Sequence, residues 1–192
     1  METLQSVRTR RSAPRLGAPA PDDRELLVLL EAAMGAPDHG RLLPWRLVSL
    51  REGERERLGR ELAACAGQDP EARRRAAAKT LRAPLLVAIV LSPVDHPKIP
   101  RWEQLASAAA VVSTLSLLLH DRGYASIWRT GPAIEDPGVR TLHGLAGGEQ
   151  LLGWLYVGTA AGAAPPRPRT DPGRYLSALT GLGSRALSEG GR

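Results

Sequence analysis

Phenylalanine is absent from this sequence of 192 residues, and aromatic residues make up only 4% of it. The core must therefore be built from Leu, Ala and Val, which suits helices, and a stacking platform for nucleic-acid bases is disfavoured. There is one cysteine, Cys65. It excludes an intramolecular disulfide and fits a reducing, cytoplasmic setting. Lysine is nearly absent: only Lys79 and Lys98 contribute to the 26 basic residues. The N-terminus lacks the apolar core of a signal peptide. The longest apolar stretch, Leu105–Leu119, is interrupted by Ser107, Ser113, Thr114 and Ser116. It reads as too short to span a bilayer and as a buried core helix, so no membrane association is expected.

Several chemical motifs are missing as well. No Gly-x-Gly-x-x-Gly follows a strand, and Gly158–Gly162 has the wrong spacing for one. Neither a Walker loop nor a Gly-x-Ser-x-Gly elbow occurs. The four histidines, His39, His96, His120 and His143, lack metal-ligand spacing, and one cysteine cannot complete a thiolate site. Metal catalysis and Ser/Cys nucleophilic catalysis are not expected.

What is present is an ordinary globular composition, 43% hydrophobic and 24% charged, with a formal net charge of +6. The length fits one domain, expected over 1–160, followed by a Pro/Gly/Arg-rich arm and tail over 161–192. Acidic residues interleave with arginine through 51–61 and 69–75. These stretches read as solvated helix faces with i,i+4 pairing and not as a nucleic-acid patch.

Periodicity predicts a short helix over Thr3–Arg10, an extended connector over 13–22, and a helix from an Asp22 or Asp23 cap to about Met34. A strand is predicted at Arg46–Leu50, and helices at Glu54–Ala66 and Pro70–Leu81. The apolar run in Pro84–Leu91 predicts a fully buried strand. A loop over 92–100 leads to a long central helix, Trp102–Arg122, stopped by Gly123. Further strands are expected at Tyr124–Trp128 and at Leu151–Val157, the latter ended by Gly158, with a short helix at Asp136–His143 between them. A last short helix is expected near Arg174–Leu179. The fold class expected is α+β: a sandwich with a central mixed sheet flanked by helices.

A few polar clusters stand out. Arg10, Arg11 and Ser12 read either as a grip on a phosphate dianion or as a solvated basic helix end. His39, in the turn Ala36-Pro37-Asp38-His39-Gly40, reads as a donor to a ligand carbonyl or hydroxyl, or as a local backbone cap. Trp45 after Pro44 reads as a core anchor. Trp128, Arg129 and Thr130 stand at a strand exit, and read either as a site where a cation would stabilise negative charge on a bound, reduced ring or as an ordinary arginine at the end of a strand. Glu103 suits the positive end of the central helix.

The order of these segments adds to their meaning. Arg10-Arg11-Ser12, then Ala36–His39 with Pro44-Trp45, then Pro100-Arg101-Trp102-Glu103-Gln104, then Gly123–Gly131 and Trp154–Thr159 form a succession that resembles the nitroreductase family of FMN flavoproteins. It is most similar to the family's small bacterial YdjA-like branch, over about Leu4 to Thr159. The resemblance implies an intertwined homodimer with FMN at the interface, contacted by both subunits. It implies that Arg10, Arg11 and Ser12 bind the FMN phosphate and nearby atoms. It also implies that His39 meets the flavin from its turn and that Trp128, Arg129 and Thr130 line another edge, largely through backbone. No catalytic side chain is implied, because flavin N5 carries the hydride, with NADH or NADPH as reductant. The acceptor expected is an electron-poor small molecule such as a nitroaromatic or quinone. The alternatives are a flavin-dependent dehydrogenase or oxidase of a biosynthetic pathway, and a non-catalytic basic binding protein of the same fold. Gly35 departs from the family pattern, standing where an arginine is expected, and Arg41 stands where a small polar residue is common. Arg167 and Arg169 read as extra phosphate charges or as solvated arm residues.

Overall fold

In the computed structural model, residues 2–162, 168, 170–180 and 183–186 are described. Arg167 and Arg169 lie outside the described residues. Six α-helices occur among them: α1 (Thr3–Thr9), α2 (Asp23–Ala33), α3 (Glu52–Ala64), α4 (Pro70–Ala78), α5 (Arg101–Asp121) and α6 (Pro137–Leu142). The strands are β1 (Leu16–Gly17), β2 (Trp45–Leu50), β3 (Leu85–Leu91), β4 (Ala125–Arg129), β5 (Gln150–Ala160), β6 (Ser177–Thr180) and β7 (Gly183–Ala186).

The helix starts follow from their caps. The Asp22 carboxylate accepts from the Glu25 amide, Asp69 from Glu71 and Ala72, and Asp136 from Gly138 and Val139. Proline at the first turn of α4 and α6 supplies a preset φ where no amide donor is needed. Gly123, at φ +87°, closes α5 in the left-handed region.

The main sheet runs β2–β3–β5–β4, with β1 also paired to the end of β5. Every pairing between these strands is antiparallel, and the parallel component is the isolated bridge between Ser12 and Ser126. All seven residues of β3 are buried. Its period-2 alternation feeds two cores. Leu85, Val87 and Ile89 face α2 and α5, packing with Leu29, Val111, Leu115 and Leu119. Leu86, Ala88 and Val90 face α3, α4 and α6, packing with Leu58, Leu62, Ala76 and Val139. The expected sandwich of helices on both sides of a sheet is what forms.

Three expectations are corrected. Gly158 does not end β5, which continues to Ala160. A Cβ there would lie 2.6 Å from the Gly17 carbonyl and 2.8 Å from Pro84 Cδ, so the glycine admits β1 to the sheet. Near Arg174 the chain makes only a 3₁₀ turn, Pro172–Arg174, and then pairs β6 with β7 instead of forming a helix. Finally, α5 is 21 residues long and apolar enough, by length and composition, to cross a membrane. Its assignment to the core rests on packing: Ala108, Val111, Val112, Leu115 and Leu119 are buried, most of them against the sheet.

Candidate functional site

The α3/α4/α6 face of the sheet carries a cleft of about 610 Å³ near the end of β4. That volume lies within the ~300–1,000 Å³ common for small-molecule sites. Leu62, Ala66, Ala76 and Trp154 give it apolar walls, and Lys79, Arg82, Arg129, Thr130, Asp136 and Tyr156 give it polar ones. The Arg129 guanidinium lies 5.6 Å from the centre of the Tyr156 ring. Its Nε is buried without a hydrogen-bond partner. Burial pushes the Tyr156 hydroxyl above its ordinary pKa, against the opposing pull of Arg129 and Arg82. Neither Lys79, Arg82 nor Arg129 has an ion-pair partner among the described residues. Asp136 is engaged: the nearby Cys65 thiol and its cap of α6 hold its carboxyl below the usual range. Partial desolvation and the nearby Asp136 carboxylate push the Cys65 thiol up to about 11.

A second cleft, of about 440 Å³, adjoins the first through Arg82 and Arg129 and is completed by Pro14, Arg15 and Leu16. Gly153 lets β4 reach this position. It sits at φ +118°, and a Cβ there would collide with the Arg129 carbonyl.

The residues singled out from sequence distribute unevenly around these clefts. Arg129 and Thr130 line the larger one. Trp128 does not share their face: alternation along β4 pairs it with Leu155, on the α2/α5 side, where its indole N–H donates to the Leu152 carbonyl at 3.1 Å. Ser12 is bridged to Ser126 of β4, so the Arg10–Ser12 segment lies beside the same strand. One guanidinium nitrogen of Arg11 turns back to the carbonyls of Arg8 and Arg10, at 2.6 and 2.8 Å, at the C-terminal end of α1.

His39 stands elsewhere. Its Nδ1 lies 2.6 Å from the Glu103 carboxylate in the first turn of α5. Arg101, beside it, reaches Gly148 and Gln150 at the start of β5. Ser126 pairs with Val157, seven residues further along β5, which is roughly 20 Å at strand rise. Within one chain, then, His39 and Arg10–Ser12 occupy opposite ends of the sheet. The loop carrying His39 is strained: Arg41 and Leu43 adopt φ of 53° and 47°, beside Gly40 at 73°. The Asp38 carboxylate holds it by accepting from the Leu43 amide at 2.7 Å. Left-handed backbone at non-glycine residues concentrates where function over-determines the chain. Gly35 is exposed at the end of the preceding helix.

Sequence reasoning missed Arg15, Lys79, Arg82 and Tyr156. Lys79 carried a faint signal as one of two lysines, whereas the arginines are indistinguishable from their many neighbours.

Comparison with known proteins gives a consistent result. The sequence model of the nitroreductase family matches residues 7–159. The chain is 37% identical over 162 residues to YdjA of Escherichia coli strain K12, provisionally named an NAD(P)H nitroreductase, across 83% of this chain and 88% of that relative. Among solved structures, a nitroreductase-like family protein from Bacillus cereus superposes with a TM-score of 0.81 at 23% identity, covering 94% of this chain and 97% of the other. A variant of NfnB from sphigopyxis sp. strain HMH, described as an FMN and NADPH-dependent nitroreductase, superposes with a TM-score of 0.74 at 21% identity, covering 94% and 100%.

Proposed function

The chain belongs to the nitroreductase family, and on that premise we propose that it is an FMN-dependent oxidoreductase using NADH or NADPH to reduce an electron-poor small molecule such as a nitroaromatic or quinone. The observation that carries the proposal is the larger cleft. An apolar slot edged by three cations without counter-ions among the described residues, one with an orphaned buried nitrogen, fits a flat ring that bears an anionic group. Flavin, when bound, takes hydride from reduced nicotinamide and passes it to the acceptor.

The chain's own residues bind, orient and balance charge. Arg10, Arg11 and Ser12 are assigned to the phosphate end, and Arg129 and Thr130 to the ring edge; Trp128, whose side chain lies on the opposite face of the sheet, is assigned there only through its backbone. The Arg129 cation favours the ring state that carries negative charge. His39 is assigned to the ring or ribityl chain of a flavin held mainly by a second subunit, since it stands at the far end of its own sheet. Apolar side chains left exposed along α2, the His39 loop and the start of α5 support a homodimer: Leu27, Val28, Met34, Leu43, Trp102 and Leu105. The lone free thiol suits a cytoplasmic enzyme.

The test is the visible spectrum of the purified protein, followed by reconstitution with FMN. A yellow protein, or one that binds added FMN, is expected. A colourless protein that takes up no flavin overturns the reading. Arg10→Ala with Ser12→Ala is expected to lower flavin content, and assays with candidate acceptors under air and under nitrogen separate a reductase from an oxidase.

A further inference from the structure

His143 is buried at the C-terminal end of α6, and both of its ring nitrogens are engaged. One lies 2.7 Å from the Val139 carbonyl (Nδ1), the other 3.0 Å from the indole nitrogen of Trp154 (Nε2). A carbonyl oxygen only accepts, so Nδ1 carries the proton. An indole N–H only donates, so Nε2 is bare. The two bonds together fit one state of the ring, the neutral Nδ1–H tautomer. Burial pushes its pKa down, the Val139 carbonyl opposes this and the Arg46 charge adds to it, so the ring is neutral at pH 7. Arg46 also donates to the His143 carbonyl at 3.2 Å, which holds the backbone of the same residue.

Trp154 stands at the other end of this chain of bonds. It is buried, and it is the largest side chain among the described residues lining the larger cleft. Plain alternation along β5 would send Leu151 and Trp154, three apart, to opposite faces. Both instead pack in the core that holds Leu86 and Val90. The cause is a shift of register: Ile89 pairs with Gly153 and Val90 with Leu151, which leaves Leu152 unmatched on β3. The bulge turns the indole to the cleft side. Its N–H is then a buried donor, and His143 supplies the acceptor, with the two rings tilted at 52° and their centres 5.8 Å apart. His143 itself is not part of the lining. We propose that His143 is a positioning residue for the larger cleft: by accepting from Trp154 it fixes the indole against which the bound ring is seated. This rests on the flavoprotein reading above, with FMN as the ring.

The experiment uses the full-length protein, stripped of flavin. Its variants are His143→Gln, His143→Asn, His143→Phe, Trp154→Phe and the double variant His143→Asn with Trp154→Phe. A glutamine amide reaches the place of Nε2 and keeps an acceptor for Trp154. Asparagine reaches only the place of Nδ1, and phenylalanine keeps a flat ring without an acceptor, so each backs up the other. Dissociation constants for FMN are measured by flavin fluorescence quenching, with urea unfolding midpoints on the same samples. Asparagine and phenylalanine are each expected to weaken FMN roughly tenfold, and glutamine to stay within about threefold of wild type. With Trp154→Phe already present, His143→Asn is expected to change affinity by less than about twofold, because the bond it would break is gone. Unchanged FMN binding in the asparagine or phenylalanine variant overturns the proposal. So does a glutamine variant as weak as these two, or a tenfold loss that persists beside Trp154→Phe. Failure of both acceptor-free variants to fold also overturns it, since His143 then serves the fold and not the cleft. In each of these cases the flavoprotein reading stands. A wild type that binds no FMN removes both.

Discussion

Two arginine-rich corners sit on the same face of the sheet and have opposite chemistry. At the start of β5, Arg46 makes a two-pronged contact with Glu149, both bonds at 2.8 Å, and donates to the carbonyls of His143 and Gly144. Glu149 also accepts from the Ser92 hydroxyl and the Ala146 amide. These hydrogen bonds, that from Arg46 foremost, hold its carboxyl at about 2, and Arg46 is raised in turn. Near the end of β4, Arg15, Arg82 and Arg129 converge with no carboxylate among them. The first corner completes its bonding within the chain and ties β2 to the two loops at 92 and 143–149. The second leaves its bonding capacity outward. Matched charge marks architecture, and unmatched charge held in place marks a site.

The sharpest break of this contrast is Gly153→Ala, which drives a methyl group into the Arg129 carbonyl at a left-handed φ. A loss of about 3 kcal/mol or more is expected by urea unfolding, because β4 must shift and carry Arg129 with it. Next is Glu149→Gln, which leaves Arg46 half-paired in a partly buried place and is expected to cost about 2–4 kcal/mol in the same measurement. The pH dependence sharpens the point. Glu149 has a depressed pKa in the folded state, so its stabilisation is present above the ordinary carboxylate range and is lost as pH falls from about 4.5 to about 2. Unfolding midpoints across that window are expected to fall more steeply for wild type than for Glu149→Gln. The smallest effect is expected at the other corner: Arg82→Gln changes stability by no more than about 0.5 kcal/mol, in either direction. A large loss there would mean that its charge serves the fold after all.

Much of this was legible in sequence because short-range rules decide it. The Asp-Pro pairs at 69–70 and 136–137 announced two helix starts, and the apolar run at 85–91 announced the central strand. The i,i+4 pairing expected within 69–75 is realised by Glu71 and Arg75. What stayed hidden depends on long-range approach. Gly158 looks like a strand stop until Gly17 and Pro84 are seen against it. Arg129 was marked by its strand exit, but Arg15 and Arg82 are distant from it in sequence, and nothing local distinguishes those two from the other arginines. Trp128 and Arg129 are neighbours in the chain, yet strand alternation sends them to opposite faces. His39 was legible as a polar turn residue, but its Glu103 partner lies 64 positions away.

The surroundings of Cys65, partial desolvation first and the nearby Asp136 carboxylate second, bear on the protein's chemical durability. A thiol titrating at about 11 holds almost no thiolate at neutral pH, and thiolate is the form that alkylating agents and peroxides attack. Slow labelling by iodoacetamide at pH 8 follows, although the side chain is exposed. Solvent can reach the sulfur while its proton stays on, so a molecule whose family handles reducing equivalents keeps its own most oxidisable atom out of the traffic.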